Sequence, residues 1–381
     1  MENNEKQALI SFAAIDPYVE THIVSPKETL LTGKNMVEWG ERNIYPEYLL
    51  ELSKQVPTLR SIIGGSVDFI AGDGCTIEAL DPTDTERVPG TMNTRGDNIA
   101  EQVRCLARDF LTYGGFALQV VRSLSGKIVD LYYIDFRFLR SNKENSVFYY
   151  SEKWSQNRRN VVEYPAFYPY QPEDWARLSD EERSRNVSSI LYVKNEHTQT
   201  YPFPVYGAAV KACEIERCID DFHLNEINNG FVSSMIVNFN NGNPGDEIRK
   251  EIERRFNEKF SGHQNAGRIM FSWNDSKDVA TTLEYPKVEN FGDRYNSLAK
   301  HSRQQIFTAF RATPVLFGIP TDNNGFAADD YENAFRLYNR TCVRPVQRLI
   351  CDAYDRIYGR AGVLTITPFS LEETATETKV N

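Results

Sequence analysis

Two long helical segments constrain this chain more strongly than any other feature of its sequence. The first covers residues 206–229 and the second covers residues 291–311, with a short α+β segment between them. On the first helix the apolar positions form a narrow stripe, while acidic residues cover most of the remaining surface. Two such helices, joined through a small insert, project as a hairpin that has too little apolar area to bury itself. The pattern therefore favours an assembly in which neighbouring subunits cover the helices.

The segment between the long helices has a periodicity of its own. A strand is predicted over residues 235–239, and Asp246 begins a helix after the turn at residues 240–245. A second strand is predicted over residues 268–273. The helix carries apolar residues at steps of four, namely Ile248, Ile252, Phe256 and Phe260. We therefore predict that this stripe packs against both strands and forms a small separate core.

Helix signals open the first half of the chain, although the first 40 residues show no clear period and receive no assignment. A helix over residues 45–72 is entered through Pro46 and interrupted near Pro57, and it ends either at residues 64–65 or at the end of that range. An amphipathic helix then begins at Ile99 and stops at Gly114.

Strand signals follow. Runs rich in valine and tyrosine over residues 116–124 and 127–140 flank Ser125 and Gly126, which predicts a hairpin. Asp135 falls inside the second run, where an ion pair with a neighbouring arginine is its simplest role. The chain up to about residue 205 is thus predicted to be an α+β domain.

A third long helix is predicted near the C-terminus. It runs from about Ala327 to Tyr358 after a loop rich in proline, asparagine and glycine, and Pro345 should kink it. The residues from Leu371 onward read as a solvated tail.

Charge and targeting signals narrow the function classes. The chain has 53 acidic and 43 basic residues, a net charge of −10, so a protein that grips DNA phosphates statically is disfavoured. No apolar run approaches the length of a membrane span, and the N-terminus lacks the basic and apolar regions of a signal peptide. We therefore expect a protein of the cytosol with no membrane partner.

A search for reactive groups gives no catalytic, cofactor or metal site. The five histidines share no metal-ligand spacing, and the six cysteines form no CxxC pair, so free thiols are expected. Residues 262–267 resemble a phosphate loop, but the loop's lysine and hydroxyl residue are missing and a strand follows it, so we interpret it as a turn. Asp329, Asp330 and Glu332 form an acidic cluster at the start of the third helix, where they complement the helix dipole.

Several ordered motifs resemble those of one known family. They are Tyr-Pro-Phe-Pro-Val-Tyr-Gly at 201–207, Asn-Phe-Asn-Asn-Gly-Asn-Pro at 238–244, and the run from Arg303 to Ile319 that ends in Ala-Thr-Pro-Val-Leu-Phe-Gly-Ile. The ordered set resembles the portal proteins of tailed double-stranded DNA bacteriophages and prophages, over about residues 40–360. Portal proteins form closed rings, usually twelvefold, around a central DNA channel at a capsid vertex.

The resemblance implies an α+β fold with an α+β wing, two long stem helices, a small α+β clip insert and a long C-terminal wing helix. The implied divisions, in chain order, are an N-terminal wing domain at 1–205, a first stem helix at 206–231, a clip at 232–288, a second stem helix at 289–312, a tunnel loop region at 313–326, a wing or crown helix at 327–360 and a tail at 361–381. Little beyond residue 358 has a helical pattern, so the crown is expected to be small or absent.

The resemblance also implies a function. The ring would package and eject DNA, with the channel-facing residues of the tunnel loop at Asp322, Asn323, Asn324 and Gly325. Its partners would be further copies of itself, the terminase large subunit, the major capsid or scaffold protein, the head–tail connector and double-stranded DNA without sequence preference. It would reside in the virion, and in the host cytoplasm during assembly.

Two alternatives from other classes stay open at this point. The chain could be another structural or adaptor protein of a virion or prophage, which the size of its ring and of its channel would reveal. It could also be a cytosolic enzyme with an unrecognised carboxylate site, which a deep pocket in a discrete monomer or dimer would favour.

Overall fold

A computed structural model gives the architecture of the chain. The residues it describes are 9–12, 23–31, 35–78, 90–154, 161–228, 235–240, 244–260, 269–274, 291–319 and 328–371. The chain forms two compact units. We call residues 23–214 and 302–381 the body, and residues 1–22 and 215–301 the insert unit.

The helices of the described residues are α1 (Tyr45–Gln55), α2 (Pro57–Ala71), α3 (Ile99–Tyr113), α4 (Pro172–Arg177), α5 (Asp180–Asn186), α6 (Val210–Asn228), α7 (Asp246–Phe260), α8 (Phe291–Ala309), α9 (Ala328–Tyr338) and α10 (Arg344–Tyr358). The strands are β1 (Leu9–Phe12), β2 (Thr29–Leu30), β3 (Val37–Glu38), β4 (Gly74–Ile77), β5 (Gly115–Arg122), β6 (Ile128–Ile134), β7 (Leu139–Ser141), β8 (Val147–Tyr150), β9 (Val162–Pro165), β10 (Ser188–Lys194), β11 (Met235–Phe239), β12 (Ile269–Trp273) and β13 (Leu364–Thr367).

Proline and capping residues place the helix ends of the body. The helix predicted over residues 45–72 breaks at Val56, which has extended backbone, because Pro57 follows it and begins α2. α2 then continues to Ala71. The Asn98 side chain accepts a 2.7 Å hydrogen bond from the Ala100 amide at the start of α3, and Gly114 ends that helix with a left-handed φ of 88°.

The described residues of the body form three antiparallel sheets. β10, β5 and β6 form one sheet, β2, β3, β7, β8 and β9 form a second, and β13 pairs with β4 in a third. The hairpin predicted at Ser125–Gly126 is confirmed as the β5–β6 connection.

The single strand predicted over residues 127–140 is wrong. The chain breaks after Ile134, where the Asp135 side chain accepts a hydrogen bond from the Arg137 amide and caps a short 3-10 turn. The turn directs β7 into the other sheet. Asp135 therefore lies at a corner, not in a strand, although its ion pair with Arg137 is present at 2.8 Å.

The core of the body lies between α1–α3, the sheets and α10. Its fully buried side chains include Trp39, Leu49, Leu59, Phe116, Phe136, Phe148, Tyr206 and Tyr354. Aromatic contacts dominate, with the Trp39 ring stacked on Tyr201 at 4.6 Å and edge-on to Phe136 at 5.5 Å. The buried Arg140 guanidinium donates to the Asn43 and Leu139 carbonyl oxygens and lies 3.5 Å from Glu47.

A π-helical turn over Asn339–Val343 joins α9 to α10. The sequence predicts one helix kinked at Pro345. The chain stays helical from α9 into α10, and the π-helical turn lies just before that proline, with the Arg344 amide bonded to the Asn339 carbonyl. Proline has no amide to donate and clashes with the preceding turn of a regular helix, so the wider π turn accommodates it.

The insert unit has a parallel core pair with one added strand. β11 and β12 run parallel with α7 between them in sequence, and β1 pairs antiparallel with β12. No sequence pattern predicted β1. The predicted packing of the α7 stripe is wrong for Ile248, which is 57% exposed, whereas Ile252 is partly buried. The side chains of Phe256 and Phe260 lie outside the described residues.

The described residues bear on the remaining sequence predictions. All six cysteines are free, with Cys213 buried and the others half-buried. The described helices include none with the length and apolar character to cross a bilayer. Within the described ranges, no three side chains of the metal-ligating types come together as a metal site, and Glu332 of the acidic cluster pairs with Arg336 at 3.0 Å. The glycine turn at residues 262–267 lies outside the described residues, and so does the tail from residue 372 onward.

Candidate functional site: the anchored base of the 320–327 loop

The residues predicted to face DNA belong to the segment between α8 and α9. Asp322, Asn323, Asn324 and Gly325 lie outside the described residues, which end at Ile319 and resume at Ala328. The structure shows how the body holds the two ends of this segment. We call those ends the loop base.

On the incoming side, one left-handed residue turns the chain just after the end of α8. Arg311 has a φ of 52°, and the amide of Ala312 bonds to the Phe307 carbonyl at 3.0 Å. A 3-10 turn over Pro314–Phe317 follows and ends at Gly318, whose φ of 74° suits glycine. The Ile319 amide closes the turn on the Pro314 carbonyl at 3.2 Å. The chain thus enters the loop in a fixed geometry.

Phe317 anchors this turn to the body. Its ring lies 6.1 Å from Phe307, 6.2 Å from Phe69 and 6.0 Å from Tyr338, the last at 90°. A Cβ at position 65 would lie 2.9 Å from the Phe317 ring, so only a residue without one lets the ring lie this close to α2. Gly65 is therefore part of the loop base.

The outgoing side contacts the same aromatic cluster through α9. Phe335 is buried with its ring 5.2 Å from Phe69, and the Tyr338 and Ser66 hydroxyls share a hydrogen bond of 2.7 Å. Burial raises the pKa of Tyr338, so this hydroxyl stays neutral. Because Phe317 and Tyr338 contact each other and α2, both ends of the loop are tied to one helix.

The end of α8 is also tied to the π-helical turn and to the start of α6. The Cys342 thiol points to the Phe310 carbonyl at 3.7 Å, and the Phe310 ring stacks on Tyr206 at 5.5 Å. Tyr206 belongs to the Tyr-Pro-Phe-Pro-Val-Tyr-Gly motif. That motif therefore contributes an aromatic contact beside the loop base.

The loop base is built of aromatic and aliphatic groups, with one hydroxyl pair and one thiol. Such groups hold a loop in place, whereas general acid–base chemistry needs a titratable pair whose pKa values lie near neutrality. Burial raises the Tyr338 pKa away from that range. The arrangement is suited to positioning a loop mechanically.

Elsewhere in the body, a cleft of about 640 Å³ opens between the two larger sheets. Tyr132, Tyr133, Tyr150 and Tyr164 supply much of its lining. Behind it, the fully buried Asp109 accepts hydrogen bonds from the Tyr133 hydroxyl at 3.0 Å and the Phe136 amide at 3.1 Å.

Burial, and then the nearby Asp135 charge, raise the pKa of Asp109. The two hydrogen bonds do not offset these effects. The Asp109 carboxyl is a structural acceptor that ties α3 to the β6–β7 corner.

In the insert unit, a ring contact pairs the two long helices. Phe222 of α6 stacks on Tyr295 of α8 at 5.0 Å and 5° between planes, with His223 edge-on to the same tyrosine at 6.0 Å. Phe222 lies on the apolar stripe recognised in the sequence. Tyr295 was not singled out, because one aromatic residue in a polar helix gives no periodic signal.

Sequence reasoning predicted a loop between α8 and α9 but did not identify the residues that hold its two ends. Gly65, Phe69 and Tyr338 are far from the loop in sequence, and each resembles an ordinary helix residue in its own segment. These three residues can be identified only from contacts between distant segments, such as a small residue that faces an aromatic ring. A single sequence does not show which segments are in contact.

Comparison with known proteins bears on both the fold and the family. A chain from the virion of a native gene transfer agent particle aligns with 92% of this chain and 87% of its own length, with a TM-score of 0.53 and 14% identity. A chain from the neck of a native gene transfer agent particle, computed with C12 symmetry, gives a TM-score of 0.53 and 14% identity over 92% of this chain and 88% of its own length. At this identity the similarity shows the mixed α and β fold alone.

Among curated proteins, an uncharacterised protein of Rickettsia felis is 27% identical over 160 residues, which is 41% of this chain and 40% of the relative. A protein of Rickettsia bellii is 26% identical over the same shares. The matched region thus spans about two fifths of these relatives. The sequence profile described as phage portal protein matches residues 95–372, which is well over half of the chain and includes both long helices. The chain therefore belongs to the phage portal protein family.

Proposed function

We propose that the chain is a ring-forming portal subunit at a capsid vertex, and that its ring is the conduit for DNA packaging and ejection. The observation that carries this proposal is the pair of long helices, α6 and α8, which a small α+β segment joins in sequence and an anchored loop base follows, in a chain of the portal family. The family is structural and not enzymatic. A similar fold occurs in a neck computed with C12 symmetry, which supports a ring of twelve.

Exposed apolar residues on the long helices support the ring. Leu224 of α6 is 57% exposed and Leu298 of α8 is 40% exposed, whereas the other exposed side chains described on these two helices are polar. A closed ring uses one surface against a different surface of the next copy, so each subunit presents such residues to a neighbour. Leu224 and Leu298 are our candidates for this contact.

Native mass spectrometry tests the ring. Twelve copies of a 43.7 kDa chain give about 520 kDa, and a ring one subunit larger or smaller also fits the proposal. Leu224→Glu with Leu298→Glu should shift the protein to smaller species, while Leu124→Glu, at an exposed body residue, should not. A wild-type chain that stays monomeric at high concentration, with and without scaffold protein, would contradict the proposal.

We further propose that Asp322, Asn323, Asn324 and Gly325 contact the DNA in the channel. Short amide side chains offer weak, exchangeable hydrogen bonds, and the Asp322 carboxylate repels phosphate, so DNA is contacted without being held. The loop base supports this role because a loop that meets moving DNA needs both of its ends fixed.

A charge substitution tests the loop. Asp322→Lys with Asn323→Lys and Asn324→Lys should leave the ring intact but slow packaging, more at low salt than at high salt. Glu144→Lys with Glu173→Lys adds the same four units of positive charge at exposed body residues and serves as the control. Packaging at the wild-type rate by the loop variant would remove these residues from the channel.

The remaining partners follow from the ring. The insert unit is proposed to dock the terminase large subunit during packaging and the head–tail connector afterwards, and the body is proposed to contact the major capsid or scaffold protein. The subunit would assemble in the host cytoplasm and end in the virion. Pull-down of terminase by wild type, but not by a chain with the insert residues 232–288 replaced by a short linker, tests the first assignment.

A further inference from the structure

Three arginines form a regular exposed line on the helix that follows the loop base. They are Arg340, Arg344 and Arg348, spaced by four residues from the π-helical turn into α10, and all three are exposed. We call them the arginine stripe. Nothing in the proposed channel function uses them, and they stand out in a chain whose net charge is −10.

The π-helical turn keeps this line straight. In an α-helix each step of four residues advances about 40° past a full turn, so a line at that spacing drifts around the helix. A π turn closes its hydrogen bonds over five residues and is wider than an α turn, so a step of four falls short of a full turn. Arg340 lies in the turn over Asn339–Val343 and Arg344 follows it directly, so the turn offsets the drift, and the backbone rise places successive arginines about 6 Å apart along the helix axis.

The charge of the stripe is not neutralised within the described part of the chain. Arg336, one step earlier, pairs with Glu332 at 3.0 Å, whereas no side-chain hydrogen bond or ion pair joins Arg340, Arg344 or Arg348 to another described residue. Like charges four residues apart destabilise a helix, so this arrangement has a cost that an anionic ligand would remove.

The chemistry of the face favours a phosphate chain over a protein surface. Arginine binds phosphate through two parallel N–H donors, and a duplex presents a continuous line of phosphates that matches a line of guanidinium groups. A stable protein interface needs a buried apolar centre, yet Leu337 is the single large apolar side chain exposed on the described parts of α9 and α10.

We propose that the arginine stripe binds the phosphate backbone of double-stranded DNA without sequence preference. This site would hold DNA by counterion release, unlike the weakly interacting loop, and it would thus act on DNA that is stationary. The inference goes beyond the channel and does not depend on the ring, because a single subunit carries the whole stripe.

Fluorescence anisotropy with a labelled random-sequence duplex of about 30 base pairs tests the proposal on the full-length chain. The variant Arg340→Gln with Arg344→Gln and Arg348→Gln should reduce the magnitude of the slope of log affinity against log salt by about 2.7. Between 50 and 200 mM salt, the affinity of this variant should therefore fall by a factor about 40 times smaller than that of the wild type. The matched control is Arg95→Gln with Arg177→Gln and Arg254→Gln, which removes the same charge from arginines that are exposed and ion-paired. The control should keep the wild-type slope.

Equal slopes for the wild type and the stripe variant would overturn the proposal. It would also be overturned if the slope fell by the same amount in the stripe variant and in the control. Competition by poly-glutamate at the same charge concentration as effectively as by unlabelled duplex would also overturn it, since the partner would then be an acidic protein surface. Native mass spectrometry of the same samples shows whether the ring forms, so a failure of the stripe is distinguished from a failure of the ring.

Discussion

The body and the insert unit bury very different amounts of their side chains. The body encloses tryptophan, tyrosine and phenylalanine rings with almost no exposed surface, whereas Ile219 and Trp273 are the buried apolar side chains among those described in the insert unit. In the insert unit, Ile248, Leu224 and Leu298 are exposed. The described side chains of the insert unit thus form a much smaller apolar core than those of the body, so the body should draw more of its stability from its own core.

The largest expected effect is in the body core. Phe136→Ala removes a fully buried ring that contacts Trp39 at 5.5 Å and Tyr192 at 5.1 Å, and should lower the free energy of unfolding by about 3–5 kcal/mol. Urea unfolding followed by tryptophan fluorescence measures it. Leu124→Ala, at a side chain that is 74% exposed, should change the free energy of unfolding by less than about 0.5 kcal/mol. A similar loss in both variants would mean that the body is not stabilised by its core.

A second substitution probes the insert unit, where the effect should stay local. Trp273 is 3% exposed and stacks on Phe239 at 4.3 Å, so Trp273→Ala should destabilise the β11–β12 sheet. Hydrogen exchange should show faster exchange in residues 235–239 and 269–274, with body protection within about 0.5 kcal/mol of wild type. Equal loss of protection in the body would contradict the division into two units.

Local signals predicted much of this architecture. Pro57, the helix between Ile99 and Gly114, the Ser125–Gly126 turn and the two long amphipathic helices all lie where short-range chemistry places them. Asp135 was misplaced because a capping side chain inside a tyrosine-rich run reads as part of the strand. β1 was missed because its partner β12 lies more than 250 residues away, and four residues without a period give no signal of such pairing.

The loop base shows the same limit. Its flanking glycine and proline residues predicted a break between helices, but the cluster of Phe69, Phe317 and Tyr338 depends on three segments meeting. The candidate residues 322–325 remain a prediction carried by the family resemblance.

The third prediction concerns the buried carboxyl of the body. The pKa of Asp109 is raised in the folded chain, so the folded state binds its proton more tightly than the unfolded state does. The stability associated with that proton is fully present below about pH 4 and is lost as the pH rises toward the folded pKa. Asp109→Asn keeps an oxygen for the Tyr133 and Phe136 donors and removes the titration.

The variant should therefore gain on the wild type in free energy of unfolding as the pH rises above about 4, because the wild type alone loses the stability linked to that proton. Urea titrations at several pH values measure this difference. A constant difference between Asp109→Asn and wild type would mean that Asp109 ionises normally in the fold.

The smallest effect is expected at the surface of the body. Arg104 and Asp68 form an ion pair at 2.5 Å between α3 and α2, with about half of each side chain exposed. Water and salt screen such a pair, so Asp68→Asn should change the free energy of unfolding by less than about 1 kcal/mol. The residual effect should vanish in 1 M salt, where the Debye length is about 3 Å. If Asp68→Asn instead costs as much as Phe136→Ala, charge holds α2 and α3 together, and the apolar side chains between them do not. The difference in apolar core between the body and the insert unit would then not explain the stability of the body.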